Sequence, residues 1–325
     1  MLSIGWAGFL VLAVMLVNGW TDAPNAITTV VATRTLSFRK AVLLSGFFDF
    51  LGAALMCFFC PMVAETVYEL VDFGPDAAKA LAALQAALLT IVLWATLAWR
   101  FGIPTSESHA LLAGLTGSCV ALSGNFQGVN TASWGKVLAG LFLSTALGAL
   151  AGRWMAAGMA RCRFSGAFLR RGQILGAAFT AFFHGAQDGQ KFIALFLLCQ
   201  ALTRGETGHT FTVSPGVTVL CAGCMALGTV IGGRRIINTL TRGLTGLTPS
   251  AGLAADLAGG GCLLFASLLG LPVSTTHTKV SALWGAGTAQ NGSFSSSSVK
   301  EIIFTWFATF PGCFLLAWAL TRIFL

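Results

Sequence analysis

Charge is what this sequence has least of. Only 9% of its 325 residues are Asp, Glu, Lys or Arg, against about 25% in a typical soluble domain. A soluble globule could not cover its surface with so few charges, which excludes an ordinary cytosolic enzyme and a disordered chain. Residues 1–17 lack a basic stretch and an A-x-A site. They read as the first half of a span and not as a cleaved signal peptide. Zinc spacing is also missing. Cys57-x-x-Cys60 and Cys221-x-x-Cys224 lie in apolar runs without His or acid at ligand distance, so the nine cysteines read as packing residues and no metal centre is expected. Tyrosine occurs once, beside 26 Phe and 9 Trp. Those aromatics are not interleaved with Lys and Arg as on a base-stacking surface, so the formal charge of +8 implies no nucleic-acid partner.

Apolar residues are abundant, at 56% with a mean hydropathy of +0.81. An all-α polytopic membrane protein follows, with room for about eight to ten crossings at roughly 20 residues each. Apolar runs occupy about 4–33, 39–60, 78–100, 134–152, 172–203, 213–232, 252–270 and 299–324. Two more, 101–124 and 271–290, are interrupted by Pro, Ser and Thr. The first run is broken at Asn18 to Asn25, and the 172–203 run at His184 to Lys191. Matching interruptions in two halves point to a transporter with broken or re-entrant helices. The stretch Ser293 to Ser298 reads as a loop.

Loop charge gives an expected orientation. Loops 33–40, 153–171 and 233–245 carry +3, +5 and +3, whereas 61–79 carries −3. Basic loops stay cytoplasmic, which places the N-terminus outside. An odd number of crossings must then precede 153–171, so 101–124 makes a net crossing and the second half starts from the opposite side. The expected organisation is a first repeat over 1–152, a basic cytoplasmic linker over 153–171 and a second, inverted repeat over 172–325. Motif spacing agrees: Asp22 to Pro104 is 82 residues and Asp188 to Pro272 is 84, a strong internal-repeat signal.

A carboxylate at bilayer depth costs about 2.5–3.5 kcal/mol on insertion scales, so Asp22 and Asp188 need a reason. Beside Gly or Pro, with backbone carbonyls to hand, they form an oxygen-rich cradle for a hard cation. Asn25 and Gln190 are grouped with them. The second constellation is Pro-x-Ser-x-(Ser/Thr)-His. It supplies Thr105, Ser106 and Ser108 in one half, and Ser274, Thr275 and Thr276 in the other. Pro favours a first helical turn, and hydroxyls beside free backbone N–H groups suit a phosphate or sulfate oxygen. Gln187 is placed with this anion site. His109 and His277 either donate to the anion or cap local backbone. Glu107, Lys191, Asp49 and Asp256 are accessory candidates; Lys191 and Lys279 either pair with acids, add to the anion's field or snorkel.

The motifs Asn18-Gly19-Trp20-Thr21-Asp22-Ala23-Pro24-Asn25-Ala26, His184-Gly185-Ala186-Gln187-Asp188-Gly189-Gln190-Lys191, Leu247-Thr248-Pro249-Ser250-Ala251-Gly252-Leu253 and Gly270-Leu271-Pro272-Val273-Ser274-Thr275-Thr276-His277 resemble the PiT-type inorganic phosphate transporter family, in its short bacterial branch. The likeness runs from about residue 15 to 320. Gln187 stands where that family usually has Asn, Thr21 where it often has Asn or His, Glu107 where Ser is common, Asp256 where Glu is usual, and Asp49 where Glu or Asn occurs. The resemblance implies symport of inorganic phosphate with Na+ or H+ by alternating access in the inner membrane. It implies no cofactor other than the cotransported ion, and no enzyme. A homodimer is compatible with it. Sulfate permeation and a passive anion channel are the alternatives. An intramembrane hydrolase built from the same Ser, His and Asp residues lacks a nucleophile elbow and a His-Glu-x-x-His pattern.

Overall fold

A computed structural model of the protein describes residues 4–22, 24–204, 214–290, 293–294 and 296–325. They are almost entirely helical. In the first half α1 (Ile4–Thr21), α2 (Pro24–Ala32), α3 (Phe38–Phe59), α4 (Met62–Tyr68), α5 (Ala77–Phe101), α6 (Glu107–Ser123) and α7 (Thr131–Ala160) follow one another. In the second come α8 (Gly166–Arg204), α9 (Pro215–Ile231), α10 (Arg234–Gly243), α11 (Pro249–Leu268), α12 (Thr275–Ala289) and α13 (Ser296–Phe324). A two-residue antiparallel ladder joins β1 (Leu244–Thr245) to β2 (Ser293–Phe294).

Among the described residues six helices are long and apolar enough to span a bilayer, or seven if the pair bent by 63° at α9–α10 counts as one span. Large apolar side chains face outward all round, including Phe142, Trp154, Phe59 and Phe307. An outer surface of this kind belongs in lipid.

The first interruption occurs where Asp22 and Pro24 predict it: α1 stops at Thr21 and α2 starts at Pro24. Pro24 lacks an N–H and can only open a new helix. The second expected break does not occur. α8 runs through His184–Lys191 without interruption, because no proline stands there and Gly185 and Gly189 serve packing instead. A Cβ on Gly185 would lie 2.1 Å from the Asp49 carbonyl oxygen of α3. The same device recurs in the first half, where a Cβ on Gly19 would lie 2.1 Å from the Met225 carbonyl oxygen of α9. Helix crossings α3–α8 and α1–α9 are thus counterparts.

Other boundaries differ from expectation. The 153–171 segment is largely helix, since α7 continues to Ala160 and α8 begins at Gly166. The acidic 61–79 segment contains α4. Ser296–Ser298 open α13 and do not form a loop; Ser295 lies outside the described residues. At the start of α5, Asp76 caps Ala78 N and Lys79 N, each at 3.1 Å. The Lys79 backbone bond in particular holds this exposed carboxyl below its usual pKa.

The two short helices define the architecture. α5 is capped by Gly102 and α11 is followed by Gly270, both left-handed with φ of 72° and 64°, a conformation glycine adopts without cost. Extended residues then lead to α6 and α12. α6 returns to where α5 began, with Asp72 N on Gly128 O at 2.7 Å and Asn130 N on Leu70 O at 3.0 Å. α12 likewise returns to the start of α11, where Ser250 Oγ donates to Gln290 Oε1 at 3.0 Å, and Gln290 Nε2 donates to Ala156 O, also at 3.0 Å. α7 begins just after α6 and finishes at Ala160, near the end of α12. The two short helices therefore start at a common centre and run to opposite ends of the molecule.

Candidate functional site

The site is where α6 and α12 begin. Ser106 and Ser274 are the N-caps; their hydroxyls accept His109 N at 3.3 Å and His277 N at 3.1 Å. The Ser274 hydroxyl donates to the Ser106 hydroxyl at 2.8 Å. The flanking contacts repeat with two-fold symmetry. Ser108 Oγ donates to Val273 O at 3.2 Å, and its counterpart Thr276 Oγ1 donates to Thr105 O at 3.3 Å. Two helix N-termini thus bring unpaired N–H groups and hydroxyls to one buried point, a favourable environment for an oxyanion.

The carboxylates lie against this point. Asp22, in the α1–α2 break, receives Asn25 Nδ2 at 2.5 Å on Oδ1, Thr275 Oγ1 at 3.1 Å on Oδ2, and the Thr276 hydroxyl. Asp188, on α8, receives Asn18 Nδ2 and the same Thr275 hydroxyl, both at 3.1 Å. Thr275 therefore bridges the two acids. Lys191 Nζ sits 2.7 Å from Asp188 Oδ1, 2.7 Å from Ser108 Oγ and 2.6 Å from Val273 O. It is wholly buried, so it does not snorkel. The repeats are again matched here: Asn25 donates to Thr276 at 3.0 Å where Lys191 donates to Ser108.

Asp22, His184 and Asp188 each offer a ligand atom, all within 4.8 Å of one another. His184 bridges outward, with Nδ1 at 2.9 Å from Asp49 Oδ1 and Nε2 at 3.3 Å from Asp188 Oδ2. Asp49 is held besides by Ser45 at 3.0 Å and Thr229 at 3.3 Å, so it reaches the centre only through His184. The first half has no such arm, because Asn18 takes the place of His184 and Met225 that of Asp49.

Other candidates sit apart from this centre. Gln190 Oε1 accepts Val63 N at 3.2 Å and Ala64 N at 3.4 Å, which caps α4. Gln187 donates to Ser267 Oγ at 3.0 Å and Leu271 O at 3.3 Å, and accepts Val273 N at 3.4 Å. It therefore braces the extended strand before Ser274. Asp256 is bound by both Thr29, at 2.8 Å, and Lys279, in a separate buried pair. His109 and His277 meet edge to face at 4.2 Å, and His277 stacks on Trp306 at 3.6 Å. Asn18, Thr21, His184 and Ser267 also belong to the polar centre. Asn18 and His184 open the two repeated motifs, which was the available signal for them.

Two inverted halves that meet at paired helix tips, with buried acids alongside and lipid-facing walls outside, define an inverted-repeat membrane transporter. A model of the phosphate transporter family matches residues 18–167 and 156–317, and the chain belongs to that family. It is 32% identical over 310 residues to a probable low-affinity inorganic phosphate transporter of Bacillus subtilis (strain 168), covering 92% of this chain and 90% of the relative. It is likewise 32% identical over 309 residues to one of Rhizobium meliloti (strain 1021), with the same coverage. A solved structure described as the sodium-dependent phosphate transporter superposes with a TM-score of 0.87 over 99% of both chains, at 21% identity, which establishes the shared fold. The relatives are transporters, and this chain is not an enzyme.

Proposed function

We propose that this protein carries inorganic phosphate across the inner membrane by symport with a monovalent cation, Na+ or H+, through alternating access. The observation that carries the reading is the 2.8 Å contact between the two N-cap serines, beside two carboxylates bridged by one threonine. Thr105, Ser106, Ser108 and Ser274–Thr276 hold the anion, with Gln187 fixing the Ser274 strand. Asp22, Asn25 and Asp188 hold the cation. An anion of one to two negative charges is repelled by buried carboxylates at short range. It binds well only after a cation joins them, and that mutual dependence is cotransport. Rocking of the 1–152 repeat against the 172–325 repeat about the shared tips exposes the site to each side in turn.

The basic loops favour cytoplasmic 33–40, 153–171 and 233–245 segments and an external N-terminus. Both halves of the pocket come from a single chain, so a second copy is not required, and no resident cofactor enters the cycle. The test is uptake of labelled phosphate by purified protein in proteoliposomes under imposed Na+ or H+ gradients. Gradient-driven, saturable uptake that excess sulfate fails to inhibit is the expected result. Gradient-independent, non-saturating flux would indicate a channel, and strong competition by sulfate would indicate the other anion.

A further inference from the structure

On the outer wall, the seam between α8 and α11 is hollowed into a recess of about 750 Å3. Phe168, Leu175 and Phe179 of α8 line it together with Leu253 and Leu257 of α11, and Arg171 is the one charged residue of the lining. The floor is a close helix contact. A Cβ on Gly172 would lie 2.8 Å from Leu253 Cδ2, and one on Gly176 would lie 3.0 Å from Asp256 Cβ. Phe168 and Leu175 stand exposed at the rim. A second recess, of about 530 Å3 and reaching from α6 and α7 to α13, has no charged residue in its lining. The α8–α11 recess thus combines an apolar cleft with a cationic end.

That end is the turn from α7 into α8. Arg161, Arg163, Arg170 and Arg171 cluster there with no acid between positions 161 and 171, and all four are exposed. Among the described residues none of them pairs with a carboxylate. Ser165 also lines the recess; its Oγ accepts Phe168 N at 3.2 Å, which leaves its O–H free to donate. α7 is long and apolar enough to span a bilayer, so its end at Ala160 brings the arginines to a membrane surface. On the orientation proposed above this is the cytoplasmic surface. From Phe168 to Phe179 the helix rises about 16 Å. A hydrocarbon core is about 30 Å thick, so the cleft is as deep as one leaflet.

We propose that this recess binds one anionic phospholipid, with an acyl chain laid along Leu175, Phe179, Leu253 and Leu257 and the headgroup phosphate on Arg171 and Ser165. Arginine grips a phosphate through paired N–H donors. The neighbouring arginines draw anionic headgroups out of the leaflet. A zwitterionic lipid offers the same chain, but its own cation stands beside the phosphate and is repelled by the cluster. The site is separate from the centre at Ser106 and Ser274, and it is independent of the ion that drives transport.

Purified protein in a neutral detergent is titrated with phosphatidylglycerol or with phosphatidylcholine, and native mass spectrometry counts the lipid retained per chain. Wild type is expected to keep one phosphatidylglycerol at about tenfold lower lipid concentration than phosphatidylcholine, a preference that added salt weakens. Arg171→Gln should lose the preference, and Leu257→Trp, which fills the cleft, should lose both lipids. Arg322→Gln removes a charge from α13, which packs on α5 and α6, and should change nothing. Equal retention of the two lipids by wild type overturns the proposal, as does wild-type behaviour in both Arg171→Gln and Leu257→Trp. It also falls if Leu257→Trp turns a dimer into a monomer with lipid counts unchanged, because a second copy then covers the cleft. If Leu257→Trp does not fold, the exposed Arg171→Gln decides alone.

Discussion

The hydroxyls of Ser106 and Ser274 touch at 2.8 Å although 168 residues separate them. Each also caps its own helix, so one atom serves both the start of a helix and the meeting of two repeats. Ser106→Ala and Ser274→Ala should each cost about 1 kcal/mol through the lost cap. Each should also lower phosphate uptake by about tenfold or more. Thr at either position should retain both properties. Thermal unfolding in detergent and initial uptake rates check the two effects separately.

Asp22 and Asp188 differ in their surroundings, and their variants should differ too. Asp22 is hydrogen-bonded only to the neutral Asn25, Thr275 and Thr276, so Asp22→Asn breaks no ion pair, and the protein should fold normally and lose cation-driven uptake. Asp188→Asn strands the buried ammonium of Lys191, which should destabilise by about 3–5 kcal/mol as well as abolish coupling. Adding Lys191→Met should restore much of that stability without restoring transport. Melting temperatures of the three variants decide this.

The Asp256–Lys279 pair is buried and lies outside the anion centre. Asp256→Leu and Lys279→Met should each be strongly destabilising alone. Together they should be far milder than their sum, giving a coupling energy of about 1–3 kcal/mol. Additive losses would contradict the pairing.

At the α3–α8 crossing, Gly185→Ala drives a methyl to within 2.1 Å of the Asp49 carbonyl oxygen. The helices must part, so a large drop in thermal stability is expected, of the overpacking type. Gly223→Ala on α9 has nothing within 4 Å and should be neutral or slightly stabilising. Comparing the two in one melt series tests whether the crossing is as tight as described.

Much of this centre was legible in the sequence. Low charge gave the membrane, motif spacing gave two related halves, and Pro104 and Pro272 announced the helix tips beside Ser106 and Ser274. Glycine next to polar residues at His184–Lys191 looks like an unwound helix, yet α8 is continuous there. Here Gly185 accommodates a neighbouring backbone, and α8 stays intact with its polar side chains satisfied across helices. Pro24, which has no counterpart near Asp188, was the distinguishing signal. Pairings such as His184 with Asp49, 135 residues apart, and the capping of α4 by Gln190 depend on tertiary approach. No local pattern encodes them.

Equilibrium binding tests the central claim most directly. Phosphate is titrated into purified protein by calorimetry with Na+ present, with Na+ replaced by a large organic cation, and across a range of pH. Affinity should rise by about tenfold or more with either Na+ or acidification, and phosphate should tighten cation binding by the same factor. A phosphate affinity indifferent to both Na+ and pH would contradict the account.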